Sequence, residues 1–361
     1  MTGPPKPLFS KKIFLFIGLG LLTLVLYLYY FVGTGNIVDV IRRADLFLYA
    51  SAFMAFVVGV FFASLAWRSL LNNLAVKVQI RRALFLTWVG LFFDATVPEP
   101  GWSGDFTKAY ILAKTSDQDA GRIVASVVSQ KIIVMVISVV ELILGLVLLA
   151  RNYLLSQGVL LFIVAVLFLT VFSLALVWYL STRRQATRRI LRWLISAATF
   201  LRQGRWDSKE FRIKAEEFLE KFHDGIGVLS AKPATLVQPA VFSLLSSVFD
   251  VSVVFLTFAS LGYPIPVDKV LIIYALTGSL QIMGISFVGF TEVIVSGAYT
   301  VLGIPWALSV SVTLLTRVVT LWFKMIVSYV AFQWAGVKIL TSKKLAPNAP
   351  STQLQGKSIV N

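Results

Sequence analysis

Three basic residues stand inside long apolar segments of this chain. If those segments are helical, Lys131 lies about 13 Å and Arg317 about 16 Å from the segment start. Lys324 follows Arg317 by seven residues, which places both on one face of an α-helix. A charge at the centre of a membrane costs several kcal/mol unless it is paired or hydrated, so it marks a functional site by default. The chemistry that these residues predict is the binding of an anion, most simply a phosphate.

Two acidic residues stand near these bases at a repeated spacing. Asp105 precedes Glu292 by 187 residues, and Lys131 precedes Arg317 by 186. One interpretation is structural pairing, in which Asp105 neutralises Lys131 or Lys108 and Glu292 neutralises Arg317. The other is that the bases contact an anionic headgroup. The sequence leaves both open.

Two broken apolar stretches position these residues. In Leu91–Ala113 an apolar run meets two prolines and a glycine, then restarts as a helix with charged residues. Its first leg, Ala83–Val97, is roughly 22 Å long as a helix, against a hydrocarbon core of about 30 Å. Val270–Gly303 is a second such stretch. We expect each to form a re-entrant hairpin, which enters the membrane, turns and leaves by the same side.

The two tips predict a cavity, because broken backbone inside a membrane is tolerated only in protein or beside water. Ser103 is expected to cap the first returning half-helix and Thr291 the second. Both half-helix N-termini would then point to the membrane centre, where their N–H groups favour an anion. The predicted substrate-binding residues, for a lipid phosphate or headgroup, are Lys131, Arg317, Lys324, Ser103, Gly104, Asp105, Lys108, Gly289, Thr291 and Glu292.

Composition fits these expectations. Hydrophobic residues make up 58% of the 361 and charged residues 14%, which excludes an ordinary soluble domain. The net charge of +16 lies mostly in loops beside apolar spans, so it favours anionic lipid over nucleic acid. There is no cysteine, and we find no Walker loop, zinc spacing or Ser/His/Asp set. We therefore expect neither an enzyme nor a cofactor or metal.

The predicted fold class is an all-α polytopic membrane protein with about six spans. They are Ile13–Val32, Leu46–Trp67, Ile123–Ala150, Gly158–Leu180, Pro239–Ser260 and Trp306–Trp334. Residues 1–12 form an N-terminal cytoplasmic tail, 13–336 the transmembrane domain and 337–361 a C-terminal cytoplasmic tail.

The insertion at 181–232 holds twelve Lys/Arg and six Asp/Glu, an imbalance typical of a cytoplasmic loop. Within it, Arg188–Arg202 resembles a helix lying on the membrane surface. We expect the insertion to be a connector packed beneath the bundle, with His223 as a surface residue.

The number of membrane crossings before each basic loop supports the hairpins. If each broken stretch crossed once, the basic 181–232 loop would fall outside, against the positive-inside rule. With two hairpins, both termini and that loop are cytoplasmic, and the protein is an integral, multi-pass cell-membrane protein. The hairpins then enter from opposite sides, so residues 46–150 and 239–334 form an inverted repeat of the kind that transporters use.

The first tip resembles the flippase-like family, the lysylphosphatidylglycerol synthase transmembrane region and its stand-alone relatives. The resemblance rests on Trp67 before a Leu-Leu pair, and on Pro98 and Gly101 followed by Gly104-Asp105-Phe106-Thr107-Lys108-Ala109. It continues with Lys131, a Gly-rich turn ending in Glu292, and Arg317. The first turn is longer here, and the second lacks the family's Pro and paired Gly. The resemblance implies a flippase-like fold and an anionic or headgroup-modified lipid as substrate.

Three hypotheses about function follow. The first is translocation of an anionic lipid, either a phospholipid or a polyprenyl-phosphate-linked headgroup, between leaflets through a central basic cavity. The second is an ion-coupled carrier of a small soluble anion, and the third a non-transporting, lipid-binding membrane subunit. The expected partners are membrane lipids and a membrane-bound lipid-modifying or glycosyl-transfer enzyme. The oligomeric state, the lipid and the energy source stay open.

Overall fold

The structure is a computed structural model, and it describes residues 42–97, 101–116, 118–153, 156–201, 208–282 and 289–344. The predicted span Ile13–Val32 and both tails beyond these limits lie outside the described residues. So do residues 98–100 in the first predicted tip and residues 283–288, which include most of the second predicted turn, Ile285–Phe290.

The described chain is built from helices, as predicted. Five helical stretches in it are long and apolar enough to cross a membrane: Leu46–Asn73, Ala120–Asn152, Gln157–Thr182, Pro233–Ser260 and Trp306–Trp334. We name the first three α1, α4 and α5. The fourth comprises a short 3₁₀ turn and α8, Val237–Ser260. These stretches correspond to the five predicted spans that the described residues cover, and the all-α membrane class is confirmed.

Two pairs of shorter helices occupy the broken stretches. Helices α2 (Ile80–Thr96) and α3 (Ser103–Lys114) form the first pair. Helices α9 (Val267–Ile282) and α10 (Phe290–Val301) form the second. At 1.5 Å per residue, each of these helices is shorter than a hydrocarbon core of about 30 Å. Their entry into the membrane as hairpins stays a prediction.

The last span is not one continuous α-helix. It comprises α11 (Trp306–Arg317), a π-helical turn over Val318–Phe323, and α12 (Lys324–Lys344). A π turn closes i→i+5 hydrogen bonds and so holds an extra residue, which shifts the register by about 100°. The expectation that Lys324 shares a face with Arg317 is therefore wrong, because it assumed an uninterrupted α-helix.

Helices α1 and α8 pack antiparallel along their length. The backbone N–H of Asp45, whose side chain caps α1, donates to the Ser260 carbonyl at the end of α8 at 2.7 Å. Near the middle, the Ser246 hydroxyl donates to the Gly59 carbonyl at 3.0 Å. Both predicted repeats begin with one member of this pair.

The 187-residue spacing reappears in the helix limits. Shifting α1, Leu46–Asn73, by 187 residues gives 233–260, and the fourth span runs Pro233–Ser260. The same shift carries α2 to 267–283 and α3 to 290–301, against the observed Val267–Ile282 and Phe290–Val301. Gly59 and Ser246 are themselves 187 residues apart and touch, as residues on a two-fold axis between repeats would. Antiparallel pairing of equivalent helices is what an inverted repeat requires, and the opposite membrane orientation of the two units stays a prediction.

The insertion contains α6 (Arg184–Leu201) and α7 (Ser208–Ala231). Helix α7 packs closely on the start of α4, since a Cβ at Gly121 would lie 2.6 Å from the Phe218 carbonyl oxygen. Phe222, Ile226 and Leu229 of α7 join the core formed by α1 and α4. The insertion is thus a packed connector, as expected.

His223 is buried in this connector, not a surface residue as predicted. One ring nitrogen contacts the Ser181 carbonyl oxygen at 2.9 Å and the other the Thr187 hydroxyl at 2.6 Å. Burial, with help from Arg184 and Arg188, lowers the pKa of His223 below its usual value. The ring is buried because the apolar residues beside it on α7 pack against the bundle. The residue type of His223 alone gave no sign of this burial.

Candidate functional site

Helices α2 and α3 meet through two glycines. A Cβ at Gly90 would lie 2.7 Å from the Gly104 carbonyl oxygen, so neither position has room for a side chain. The backbones therefore touch at this crossing. This contact fixes the beginning of α3 against the carboxyl-terminal half of α2.

Asp94 of α2 caps the first half-helix. Its Oδ1 accepts from the Gly104 backbone N–H at 2.8 Å and from the Ser103 hydroxyl at 3.3 Å. The N-cap residue is Trp102, so Ser103 lies one position inside the helix. The prediction that Ser103 caps α3 is wrong, because a carboxylate from the neighbouring helix takes that role.

Asp105 lies between two lysines. Its carboxylate contacts Lys108 Nζ at 2.7 Å and Lys131 Nζ at 3.0 Å. Lys131 also donates to the Gly101 carbonyl at 2.7 Å, and Lys108 to the Gln130 side chain at 3.2 Å. The sequence left open whether Asp105 pairs with Lys131 or with Lys108. In the structure it pairs with both lysines.

Each of the two amines also lies against the ring of a tryptophan. Lys108 Nζ lies 4.9 Å from the ring centre of Trp67, and Lys131 Nζ lies 5.2 Å from that of Trp102. The indole N–H of Trp67 in turn donates to Ser126 at 3.0 Å. Each amine thus has a carboxylate on one side and an aromatic face on another.

The second half has its own ion pair. Glu292, 3% exposed, contacts Arg317 Nε at 2.9 Å and accepts from the Gly289 N–H at 2.7 Å. Gly289 is the N-cap of α10 and has φ = 92°, a conformation that favours glycine. Thr291 is buried two positions inside the helix, so the prediction that it caps α10 is wrong. Glu292 reaches back to the N-cap backbone instead, as in a capping box.

Lys324 connects the two halves electrostatically. It interacts with Asp94 of the first half and with Arg317 and Asp250 of the second. Within the part of the chain that the structure describes, its amine forms neither a hydrogen bond nor a salt bridge. The π turn before it sets its direction, and such turns are frequent at functional sites.

The site also includes acids and hydroxyls outside the predicted set. Ser247 of α8 donates to Glu141 of α4, and Tyr274 of α9 lies near Ser247 and Asp250. Asp250 faces Gly59, where a Cβ would lie 3.0 Å from its Oδ1. Glu141 and Asp250 are recognisable in the sequence as acids within apolar spans. No sequence signal distinguishes Ser247 or Tyr274 from ordinary span residues.

The predicted residues therefore fall into two groups. Ser103, Gly104, Asp105, Lys108 and Lys131 gather where α2, α3 and α4 meet. Gly289, Thr291, Glu292 and Arg317 gather where α10 meets α11. The end of α9 lies against the first tip, where a Cβ on Gly101 would lie 3.5 Å from the Gln281 carbonyl oxygen.

An apolar cavity lies on the far side of the second helix pair. Its volume is about 260 Å³, and side chains from α4, α5, α9 and α10 line it. Ile273 and Ile294 are among them, and these stand one residue from Tyr274 and two from Glu292 respectively. The same two helices thus present polar groups to the centre and a hydrocarbon surface to the cavity.

Together these features define a class: a multi-pass α-helical membrane protein with a compact group of charged residues between its helix pairs. The chain belongs to the family of the lysylphosphatidylglycerol synthase TM region, whose model matches residues 14–328. The resemblance seen in the sequence is thereby confirmed.

The chain is similar to two archaeal membrane proteins. A UPF0104 membrane protein of Pyrococcus horikoshii is 23% identical over 93% of this chain and 98% of its own length. One of Methanothermobacter thermautotrophicus is 22% identical over 87% and 92%. No solved structure matches the chain.

Proposed function

We propose that this protein moves an anionic lipid headgroup across the membrane through its central charged site, while the hydrocarbon chain stays in the bilayer. The observation that carries the proposal is Lys324, a half-buried amine that forms no hydrogen bond or salt bridge with any described residue. Such an amine at membrane depth is costly unless it finds an anion or water. A phosphate is the simplest anion that a lipid supplies.

The other bases already have carboxylate partners. Asp105 neutralises Lys108 and Lys131, and Glu292 neutralises Arg317. These bases are therefore a weaker first contact for a headgroup than Lys324. A headgroup at Lys324 would lie beside Arg317, which interacts with it electrostatically. The phosphate would then compete with Glu292 for the guanidinium, a fork that binds phosphate in a bidentate way.

The apolar cavity favours a lipid over a small soluble anion. Its lining is hydrocarbon, and it adjoins the helices that carry Glu292 and Tyr274. A tail at this surface and a headgroup at the centre would be held by one helix pair. A small soluble anion has no hydrocarbon chain that could occupy this cavity.

Transport in proteoliposomes tests the proposal. Translocation of fluorescent phosphatidylglycerol and of a labelled polyprenyl phosphate is followed by chemical quenching of the outer leaflet, and uptake of inorganic phosphate is measured in parallel. Lys324→Gln removes a charge-assisted contact worth about 1.5–3 kcal/mol, so headgroup binding should weaken roughly 10- to 150-fold and translocation should fall with it.

The matched control is Lys269→Gln. Lys269 is also a buried lysine, but its amine donates to the Leu302 carbonyl at 2.6 Å, away from the central site. Translocation by wild type and Lys269→Gln, but not by Lys324→Gln, would support the proposal and identify the lipid. Uptake of phosphate alone would favour the soluble-anion carrier. Folded wild type that moves none of the three probes would leave the non-transporting subunit.

A further inference from the structure

Helix α6 is held along one side by α7. Arg184 forms a salt bridge with Asp224 of α7 at 2.7 Å, and the Thr187 hydroxyl lies 2.6 Å from a ring nitrogen of His223. Further along the helix, Ile195 is buried. The three residues of α6 recur at the spacing of one helix face, so this face is the covered one.

The other side of α6 combines exposed arginines with large exposed apolar side chains. Trp193 is 68% exposed and Ile190, three residues earlier, is 42% exposed. Arg189 is exposed too and stands four residues before Trp193, so these three side chains lie on one face of the helix. Arg192, at the edge of this face, is also exposed.

The positive charge of α6 is not offset by acids of its own. Residues 184–201 include four arginines and neither Asp nor Glu. Of the four, Arg184 alone forms a salt bridge with a described residue. The guanidinium groups of Arg188, Arg189 and Arg192 are therefore available to an anion from outside the described chain.

The position of α6 places this charge at the membrane surface. The spanning helix α5 ends at Thr182, and α6 begins at Arg184 after one extended residue, Arg183. The first turn of α6 therefore lies where the chain leaves the hydrocarbon core. Tryptophan is enriched at this level of a bilayer, and basic amphipathic helices bind there to anionic lipids.

We propose that the face of α6 formed by Arg189, Ile190, Arg192 and Trp193 binds anionic lipid headgroups in the leaflet that the carboxyl end of α5 reaches. The two apolar side chains would enter the boundary between headgroups and hydrocarbon, and the two guanidinium groups would bind phosphates at the same level. This surface shares no residue with the central charged site, and the proposal does not depend on transport.

The absence of cysteine from the chain permits a test with single cysteine probes. Full-length Trp193→Cys and, separately, Ile190→Cys are labelled with the fluorophore NBD. Each is reconstituted into bilayers of phosphatidylcholine and phosphatidylglycerol in equal amounts. Quenching is then compared for chain-spin-labelled phosphatidylglycerol, chain-spin-labelled phosphatidylcholine and aqueous iodide. The two positions are alternatives, so that one suffices if the other variant does not fold.

Both probes should be quenched by spin-labelled lipid and shielded from iodide. At low salt the phosphatidylglycerol should quench at least about twofold more than the phosphatidylcholine, because the arginines attract the anionic headgroup. The ratio should approach one near 1 M salt, where the screening length is roughly 3 Å.

Paired substitutions test the arginines directly. Arg189→Gln combined with Arg192→Gln should bring the quenching ratio close to one even at low salt. Arg212→Gln is the control, because Arg212 is an exposed arginine of α7 that already pairs with Glu216 at 3.1 Å. It should keep the ratio of the unsubstituted protein.

Three results would overturn the proposal. Quenching by iodide but not by lipid would mean that this face of α6 lies in water. Shielding from iodide and lipid alike would mean that a protein covers it. Equal quenching by the two lipids at low salt would mean that the face contacts the bilayer without recognising anionic headgroups. Lipid translocation through the central site is measured separately, so each of these results leaves the proposed function standing.

Discussion

Replacing Asp105 by Asn removes the carboxylate that two lysines share. Lys108 and Lys131 lie 2.7 and 3.0 Å from it, and their side chains are only 6% and 15% exposed. Asn is nearly the same size, so the substitution changes charge with little change in packing. Both amines then stay in place with less compensation than before.

The expected loss of unfolding free energy depends on the contacts that the two amines keep. Removing one partner of a buried ion pair costs about 3–5 kcal/mol. Here Lys131 keeps the Gly101 carbonyl and Lys108 keeps Gln130, and each amine keeps its indole face. These contacts place the cost at the low end, about 3 kcal/mol of unfolding free energy. Asp119→Asn is the control, since its pair with Arg122 is long at 3.7 Å and well exposed, and the expected cost is below about 1 kcal/mol.

Stability and binding should move in opposite directions. The nine tryptophans permit unfolding in mixed micelles to be followed by fluorescence. The same Asp105→Asn protein should bind phosphatidylglycerol more tightly, because two amines are left to attract the phosphate. Unfolding within about 0.5 kcal/mol of wild type, together with unchanged lipid affinity, would refute the reasoning. It would mean that water already hydrates both amines.

Two further predictions concern the elements around the site. Gly104→Ala should lower the unfolding free energy by about 1–3 kcal/mol, because the new Cβ meets the backbone of α2. Gly297→Ala is the control, because the space at its Cβ is open. In the same assay it should be neutral or stabilising by up to about 1 kcal/mol. Equal effects would contradict the close crossing. His223 has a lowered pKa in the folded protein, so the unfolded chain binds its proton more readily and stability should fall as the pH drops below about 6.5. His223→Gln should flatten that pH dependence, and parallel stability curves for the two proteins would contradict it.

The sequence predicted the helices well because each rests on a local pattern. Runs such as Ile123–Ala150 need only hydropathy and length to be recognised, and the structure forms Ala120–Asn152 there. Proline and glycine ended the short helices close to the predicted points. The register was less predictable where a turn departed from α-helical geometry, and the π turn at Val318–Phe323 gave no signal in its residue types.

The capping residues show where local patterns are insufficient. Ser103 and Thr291 both have the side chain that caps a helix, and both stand near a helix start. The donors are satisfied instead by Asp94 from the preceding helix and by Glu292 within α10. A carboxylate forms a stronger bond to N–H than a hydroxyl does. At α3 packing of the preceding helix supplies that carboxylate, and at α10 the helix supplies its own, three residues from the N-cap.

The sequence alone determined the membrane class and the spans, because transfer of each residue into hydrocarbon depends on its own side chain. It also carried the 187-residue repeat that the helix limits reproduce. The tertiary structure decided which acid neutralises which base, that Asp105 serves two lysines, and that Lys324 forms no salt bridge with a described residue. These facts depend on contacts between residues far apart in the chain, where a few ångströms in a low-dielectric interior determine whether a charge is compensated.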